Sequence, residues 1–431
     1  MSALESLIAA GGEANLLESL SYDLPPASTA VVDRKQNCRA YPTSASTLGT
    51  NGTKTCRLRL GGNDFVDPAT IRLMYTLTNT HATAPLCPTV GPWGPWGLMR
   101  LLSNGVELDN IPNMARHQEL FAWRLLTTEQ QASEGVYGWH SAWNGTPHPA
   151  PGQLAAGDSI TVSFKPMLSL FTAGKSLPLR YAPLELECSL TANAADWLNA
   201  LDYQGTPAAA SQTYSISNIQ LIYDTQVLDE AVSEEFYKAL ISNRVLNIPC
   251  QQYFQVVQSI PQGSTSYTFS IVRAFSRLSH IWITFRTANG SLSSQFAIPT
   301  TQDGAMTGSW GTHPLFNADM PSPSIRLSIG SKNIPDFQPI TTVQEHYWQL
   351  MKTLPATPYL DRKDFASNTF VSVFDLTRVK NDLSSAMSTR SGDQIRIDMK
   401  NLTADVATEV WVTCFAMAVV SVAERGITIL D

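Results

Sequence analysis

An all-β fold of two tandem β-sandwiches is the architecture that this 431-residue sequence predicts. Three observations carry the prediction. Apolar residues recur with period two in short runs, the mark of strands with one buried and one wet face. One amphipathic helical stripe interrupts them near the middle of the chain. A signature of strand, glycine, Ile-Pro and helix occurs twice, about 225 residues apart.

The first element is helical and not yet part of the sandwich. Ser2 and Glu5 have capping-box spacing, and Leu4, Leu7 and Ile8 share a face before Gly11-Gly12. Leu16, Leu17 and Leu20 resume the pattern up to Pro25-Pro26. Residues 1–29 therefore read as an N-terminal helical arm that docks elsewhere, or as a frayed terminus.

Strands follow. Cys56, Leu58 and Leu60 alternate with Arg57 and Arg59, and Ile71, Leu73, Tyr75 and Leu77 with Arg72, Met74 and Thr76. Ile160/Val162/Phe164, Leu184/Leu186/Cys188/Leu190 and the run from Tyr214 repeat the pattern. Then "LDEAVSEEFYKALI" spaces Leu228, Val232, Phe236 and Leu240 four apart, which is a helix. After it come "SYTFSIVRAF", "SHIWITFRT", "SIRLSIG", "NTFVSVFDL", "DQIRIDMK" and "VWVTCFAMAVVSVA". The last is too short to span a membrane and reads as a strand buried on both faces. This divides the chain into a first sandwich over 30–227, a linking helix over 228–245 and a second sandwich over 246–431. Long aperiodic stretches at 128–158 and 288–323 read as exposed or intersubunit loops.

The halves match at one informative place. "MRLLSNGVELDNIPNMARHQELFAWRLL" and "IRLSIGSKNIPDFQPITTVQEHYWQLM" both run strand, Gly (Gly105, Gly330), Ile-Pro (Ile111-Pro112, Ile334-Pro335), then Gln-Glu inside a helix. Phe121 and Tyr347 each stand two places after that glutamate. Ile340, Val343, Tyr347, Leu350 or Met351, and Leu354 form a helical stripe in the second copy. A fainter echo pairs "SITVSFKPMLSL" with "NTFVSVFDLTRV". Seven or eight short strands per half with one inserted helix fit a jelly-roll sandwich. Asn104-Gly105 is the signal for a two-residue type I′ hairpin.

"GPWGPWG", Gly91 to Gly97, leads into this repeated unit. Trp93 and Trp96 read as packing anchors where a loop joins a strand, with Pro92 and Pro95 stiffening the approach. Phe121 and Tyr347 read as anchors of packing or of intersubunit contact. The competing reading is a sugar-stacking platform, extended by Trp139 and Trp143.

Composition narrows the function classes. Charged residues are only 15%, against about 25% in an average globular protein, which points to surface hidden against other subunits, a composition that many secreted β proteins share. A net charge of -7 and no basic tail argue against direct nucleic-acid binding. Six dispersed cysteines without a CxxC pair read as reduced core residues, neither a disulfide framework nor a zinc site. The N-terminus lacks the pattern of a signal peptide, so secretion is not expected, and the four Asn-X-Ser/Thr sites carry no weight. "AGKS" at 173–176 lacks the upstream glycine of a phosphate loop, and "GDSI" at 157–160 lacks a nucleophile elbow. The seven histidines show no metal-ligand spacing; His140 and His148 share a loop with Trp139 and Trp143. No catalytic residue, metal or cofactor is expected.

Tandem halves joined by a helix, an arm and interrupting helices resemble the double jelly-roll major capsid proteins of icosahedral DNA viruses, the adenovirus, virophage and polinton-like lineage. The residues that carry the resemblance are "LRLGGNDFVDPATIRLMYTLTN" (Leu58–Asn79) and "GPWGPWGLMRLLSNGVELDNIP" (Gly91–Pro112). The resemblance implies a non-enzymatic homotrimer, a pseudo-hexagonal capsomer that builds the virion shell inside the host cell. It implies contacts with neighbouring capsomers, with minor capsid or penton proteins, and with an internal membrane through the arm. Two other classes stay open: a two-domain carbohydrate-binding or glycan-processing β-sandwich protein, and a receptor-binding spike or fibre.

Overall fold

The computed structural model describes residues 31–88, 91–125, 154–198, 210–242, 245–287, 324–353, 371–379, 385–390, 393–402, 408–423 and 426–430. The expected arm, most of the loop 128–158, all of 288–323, and Trp139, His140, Trp143 and His148 lie outside the described residues.

The first half contains β1 (Val31–Ala40), β2 (Leu48–Gly49), β3 (Thr55–Leu60), β4 (Phe65–Asn79), β5 (Trp96–Ser103) and β6 (Val106–Ile111). Helix α1 (Met114–Leu125) follows, then β7 (Ser159–Phe164), β8 (Leu177–Pro178), β9 (Leu184–Leu190) and β10 (Tyr214–Leu228). Helix α2 (Glu230–Ile241) leads to the second half. That half holds β11 (Leu246–Ile260), β12 (Ser266–Ile271), β13 (Leu278–Thr287), β14 (Ser324–Ile329) and β15 (Lys332–Ile334). Helix α3 (Val343–Thr353) precedes β16 (Ser372–Asp375), β17 (Ile395–Lys400), β18 (Thr408–Ala423) and β19 (Gly426–Leu430).

All sheet pairings between these strands are antiparallel, and no sheet mixes strands from the two sides of α2. One sheet of the first half runs β1-β10-β4-β7 and the other β3-β9-β5-β6; the second half has β11-β18-β13-β16 and β12-β17-β14-β15. Setting aside β2, β8 and β19, each half numbers eight strands. Both then show the same two orders, first-eighth-third-sixth and second-seventh-fourth-fifth. This is a jelly roll written twice, with a helix between the fifth and sixth strands each time. The two echoes seen in the sequence fall on equivalent places: strand four to helix in one case, strand six (β7, β16) in the other.

Each strand pattern has a physical reason. In β3 the burial alternates at every residue, with Cys56, Leu58 and Leu60 inward. In β4 Ile71, Leu73, Tyr75 and Leu77 face the same core. Cys56 and Cys188 lie opposite each other on β3 and β9, fully buried as free thiols. On the outer side of that sheet Glu187 of β9 sits between Arg57 of β3 and Arg100 of β5, accepting from their Nε atoms at 2.8 and 3.0 Å. Burial would raise its pKa, but the two guanidiniums outweigh that and hold the carboxyl below its ordinary value.

The hairpin β5–β6 turns at Asn104 (φ 48°) and Gly105 (φ 84°), the two positive-φ positions of a type I′ turn. Its counterpart between β14 and β15 uses Gly330 (φ 58°). The substitution Gly105→Ala is expected to cost about 1–2 kcal/mol, because the strain of an L side chain at this positive φ exceeds the gain from a less free unfolded chain. Urea unfolding measures it, and a neutral result would contradict the turn geometry.

Two boundaries differ from the sequence reading. Leu228 opens the four-apart stripe but belongs to β10, because it still pairs with Val31 of β1; the helix starts at Glu230. Ile340 opens the second stripe but forms a β-bridge with Ile325, so α3 starts at Val343. In both places a residue with helical spacing is claimed by β-pairing, through a strand ladder at Leu228 and an isolated bridge at Ile340. Helix α2 rests lightly on the fold: Leu240 is its buried residue, and Phe236 packs on Phe65 with ring centroids 5.6 Å apart.

Candidate functional site: the tryptophan turn and the seam between lobes

The tightly packed turn before β5 begins with Gly91. Trp93 is 5% exposed and Trp96 is 0% exposed. Trp96 meets Tyr75 of the facing sheet edge-on at 5.5 Å, and Trp93 meets Phe164 at 6.2 Å. The Tyr75 hydroxyl donates to the Pro92 carbonyl, and burial raises that phenol well above its ordinary pKa. The Trp93 indole lies where a side chain on Gly91 would go, and a Cβ on Gly97 would come within 2.8 Å of the Thr191 backbone. These two glycines let the loop close on itself. Neither indole offers a face wide enough for a sugar ring.

Of the other two predicted anchors, Tyr347 is partly buried against the core from α3. Phe121 lies in α1, but its side chain is outside the described residues. Counted from the first residue of each helix, Phe121 aligns with Leu350, and His117 with His346. Both histidines are fully buried fourth residues.

The sequence motifs resolve into ordinary structure. Ser176 of "AGKS" donates to Gln226 at 2.9 Å, while Gly174 and Lys175 are exposed. In "GDSI", Gly157 takes a positive φ of 81° in a turn, and Ser159 pairs with the Thr78 hydroxyl at 2.8 Å. His81 Nδ1 accepts from the backbone N–H groups of Thr83 and Ala84, closing a loop. Among the described residues no group of three or more His, Cys, Asp or Glu side chains could hold a metal ion.

The residues that sequence reasoning missed lie where the lobes meet. Helix α1 leaves the first lobe and presses on the outer face of β11, β18 and β13. The Arg116 guanidinium sits 4.0 Å from the Trp411 ring and donates to Thr284 at 3.0 Å, all three residues being buried. His117 packs on Tyr253 with ring centroids 4.5 Å apart and planes tilted by 59°, and Tyr253 meets Phe415 edge-on at 5.4 Å. His117 also lies 3.2 Å from the Met167 carbonyl through Nε2. Burial depresses its pKa to about 3, so the ring is neutral. The neighbouring Gln118 ties α1 back to its own lobe through Lys165 and Met167. Gln252 of β11 donates to the Leu108 carbonyl of β6 at 3.0 Å, a further strap across the seam.

Beside this strap lies a cleft of about 480 Å³ lined by Asp109, Asn110, Gln252, Tyr253, Arg273 and Phe275. Asp109 is buried; its carboxyl accepts from the backbone N–H groups of Ser169 at 2.7 Å and Asn110 at 2.9 Å. Burial still raises its pKa to about 6, against those hydrogen bonds. Arg273 lies over the rings of Phe254 and Phe275 at 4.7 and 5.4 Å. The polar groups are thus tied to backbone and aromatic partners, which makes the seam a device for holding two lobes in fixed relation.

No protein-family model matches the sequence, and no curated protein does. Solved structures match its fold from end to end. VP54 of the virus PBCV-1, in a crystal structure fitted into a reconstruction of the virophage Sputnik, superposes with a TM-score of 0.61 at 11% identity. It covers 93% of this chain and 98% of its own. A cryo-EM structure of the Sputnik virophage gives 0.61 at 9% identity, over 97% and 92% of the two chains. The Faustovirus major capsid protein gives 0.59 at 9% identity, over 96% of each. These are double jelly-roll capsid proteins, and this chain has their fold.

Proposed function

We propose that this protein is a viral major capsid protein that assembles as a homotrimeric, pseudo-hexagonal capsomer in an icosahedral shell. One observation carries the reading: the eight-strand order is repeated strand for strand, with its helix in the same place, in two lobes locked by a buried seam. Three such chains about a three-fold axis present six near-equivalent lobes, a shape that tiles a surface. The domains are then 30–227 and 246–431 joined by 228–245; the capsomer contacts minor capsid or penton proteins, and the arm 1–29 an internal membrane. Its place is the virion. Trp93, Trp96, Phe121 and Tyr347 serve as packing or intersubunit anchors in this reading, and no enzymatic step is assigned.

Light scattering on the purified protein tests the proposal. The expected mass is three times 47.1 kDa, with six-lobed particles in negative stain. A monomer at micromolar concentration, or trimers that never tile under assembly conditions, would overturn it.

A further inference from the structure

The two lobes carry the same helix in the same place, yet only one of the helices is covered. In α1 the residues Met114 to Gln118 and Leu120 are all buried, because one side faces its own lobe and the other faces β13 and β18 of the second lobe. In α3, His346 and Leu350 are buried toward its own lobe, but Gln344, Glu345 and Trp348 are exposed. By position in the helix, exposed Glu345 stands where buried Arg116 stands in α1. Trp348 is 64% exposed, and Phe337, in the loop before the helix, is 93% exposed. The bare helix face thus carries one large exposed aromatic, and the loop before it a second.

The sheets show the complementary asymmetry. In the second lobe β18 is buried at every residue from Val410 to Ala416, since α1 covers its outer face. In the corresponding strand β10 and its neighbours β4 and β7, Ile222 is buried on the outer face, but none of the outward residues at Ser215, Ser217, Gln220, Met74, Thr76, Thr78, Ser159, Thr161 and Ser163 is buried. Three rows cross their outer face: Ser163–Met74–Gln220, Thr161–Thr76–Ser217 and Ser159–Thr78–Ser215. None of the nine residues is charged. Many of the hydroxyls are already paired, Thr76 with Thr161 at 3.1 Å and Thr78 with Ser159 at 2.8 Å. A sheet face kept in water usually carries Lys and Glu. A neutral face whose hydroxyls satisfy one another is instead cheap to desolvate.

We infer that the bare face of α3, with Trp348 and Phe337, docks on the hydroxyl face of β7, β4 and β10 in a second copy of this chain. The contact repeats between molecules what α1 makes on β13 and β18 within one molecule, with the aromatics moved from the sheet to the helix. Because the topologies are identical, the internal seam is the pattern for the external one. A helix in one copy and a sheet in the next make a head-to-tail contact, which closes into a three-membered ring when each copy is turned by a third of a revolution, as the capsomer reading requires. This inference rests on the capsomer reading and adds to it the two surfaces that meet.

The test uses the full chain. Trp348→Ala and Thr161→Lys alter exposed positions, so the thermal unfolding of each is checked first and is expected to stay near the parent's. By light scattering across a dilution series, each is expected to raise the concentration for half-assembly at least tenfold. In addition, a photo-crosslinking benzophenone residue in place of Trp348 is expected to join another copy within residues 71–79 or 159–164, read by mass spectrometry. If the parent protein assembles while both variants assemble equally well and the crosslink falls elsewhere, the docking assignment is wrong and the capsomer reading stands. If the parent is monomeric throughout, the capsomer reading falls and this contact with it.

Discussion

Trp96→Ala is expected to lower the unfolding free energy by about 3–5 kcal/mol, the largest single effect in the first lobe. Trp96 is fully buried, and it sits at the start of β5 while its ring reaches Tyr75 on β4 of the opposite sheet. Removing it empties a site between two sheets whose backbones are fixed by their ladders, so little collapse can fill the space. The loss also loosens the Tyr75 hydroxyl bond to Pro92, which holds the Gly-Pro-Trp turn. Trp96→Phe keeps an aromatic edge against Tyr75 and is expected to cost about half as much. Urea unfolding of the three proteins decides the matter. A loss under about 1 kcal/mol for the alanine variant would show that this indole is not a packing anchor.

The second large effect is acid sensitivity. His117 and His346, the fourth residues of α1 and α3, both have pKa values lowered by burial to about 3, against 6.5 for the free side chain. The native state therefore holds fewer protons than the unfolded chain between pH 3 and 6.5. The stability this provides is complete above about pH 6.5 and is lost as pH falls toward 3, at about 1.4 kcal/mol per unit for each ring. By pH 5 each histidine is expected to have cost about 2 kcal/mol. Asp109 works the other way: its carboxyl, raised to about 6, takes up a proton more readily in the native state. It returns about 1 kcal/mol over the step from pH 6 to 5. The net outcome is a protein markedly less stable at pH 5 than at pH 7. In His346→Leu the loss between those two pH values is expected to shrink by about 2 kcal/mol. Equal losses in parent and variant would show that His346 is not buried in its neutral form.

Much of the architecture was legible in one dimension because strand and helix periods differ. Alternation at Cys56/Leu58/Leu60 and at Ile71 through Leu77 reports a sheet with one wet face, and that reading needs no knowledge of what lies opposite. The Asn104-Gly105 turn and the recurring strand–glycine–helix unit are likewise local, so doubling of the fold could be read from residues near each other in the chain. Where the local signal was ambiguous, the ladder decided. Leu228 and Ile340 have helical spacing, yet β-pairing with Val31 and Ile325 holds them out of the helices. The histidine register of α1 and α3 was likewise hidden behind a Gln-Glu match one turn away.

By itself, then, the amino-acid sequence determined that this chain makes two antiparallel sandwiches that share a repeated unit, with a tryptophan-bearing turn leading into the hairpin of the first. Only the tertiary structure decided which surfaces the doubling leaves covered. The run from Val410 to Ala416 announced a strand with two hidden faces, but nothing nearby named its cover. Arg116 and His117, almost 300 residues earlier, reach Trp411 and Tyr253 of the second lobe. A period reports which side of an element avoids water; it carries no information about the partner. That choice belongs to long-range packing, where one helix finds a sheet within the chain and its twin is left facing outward.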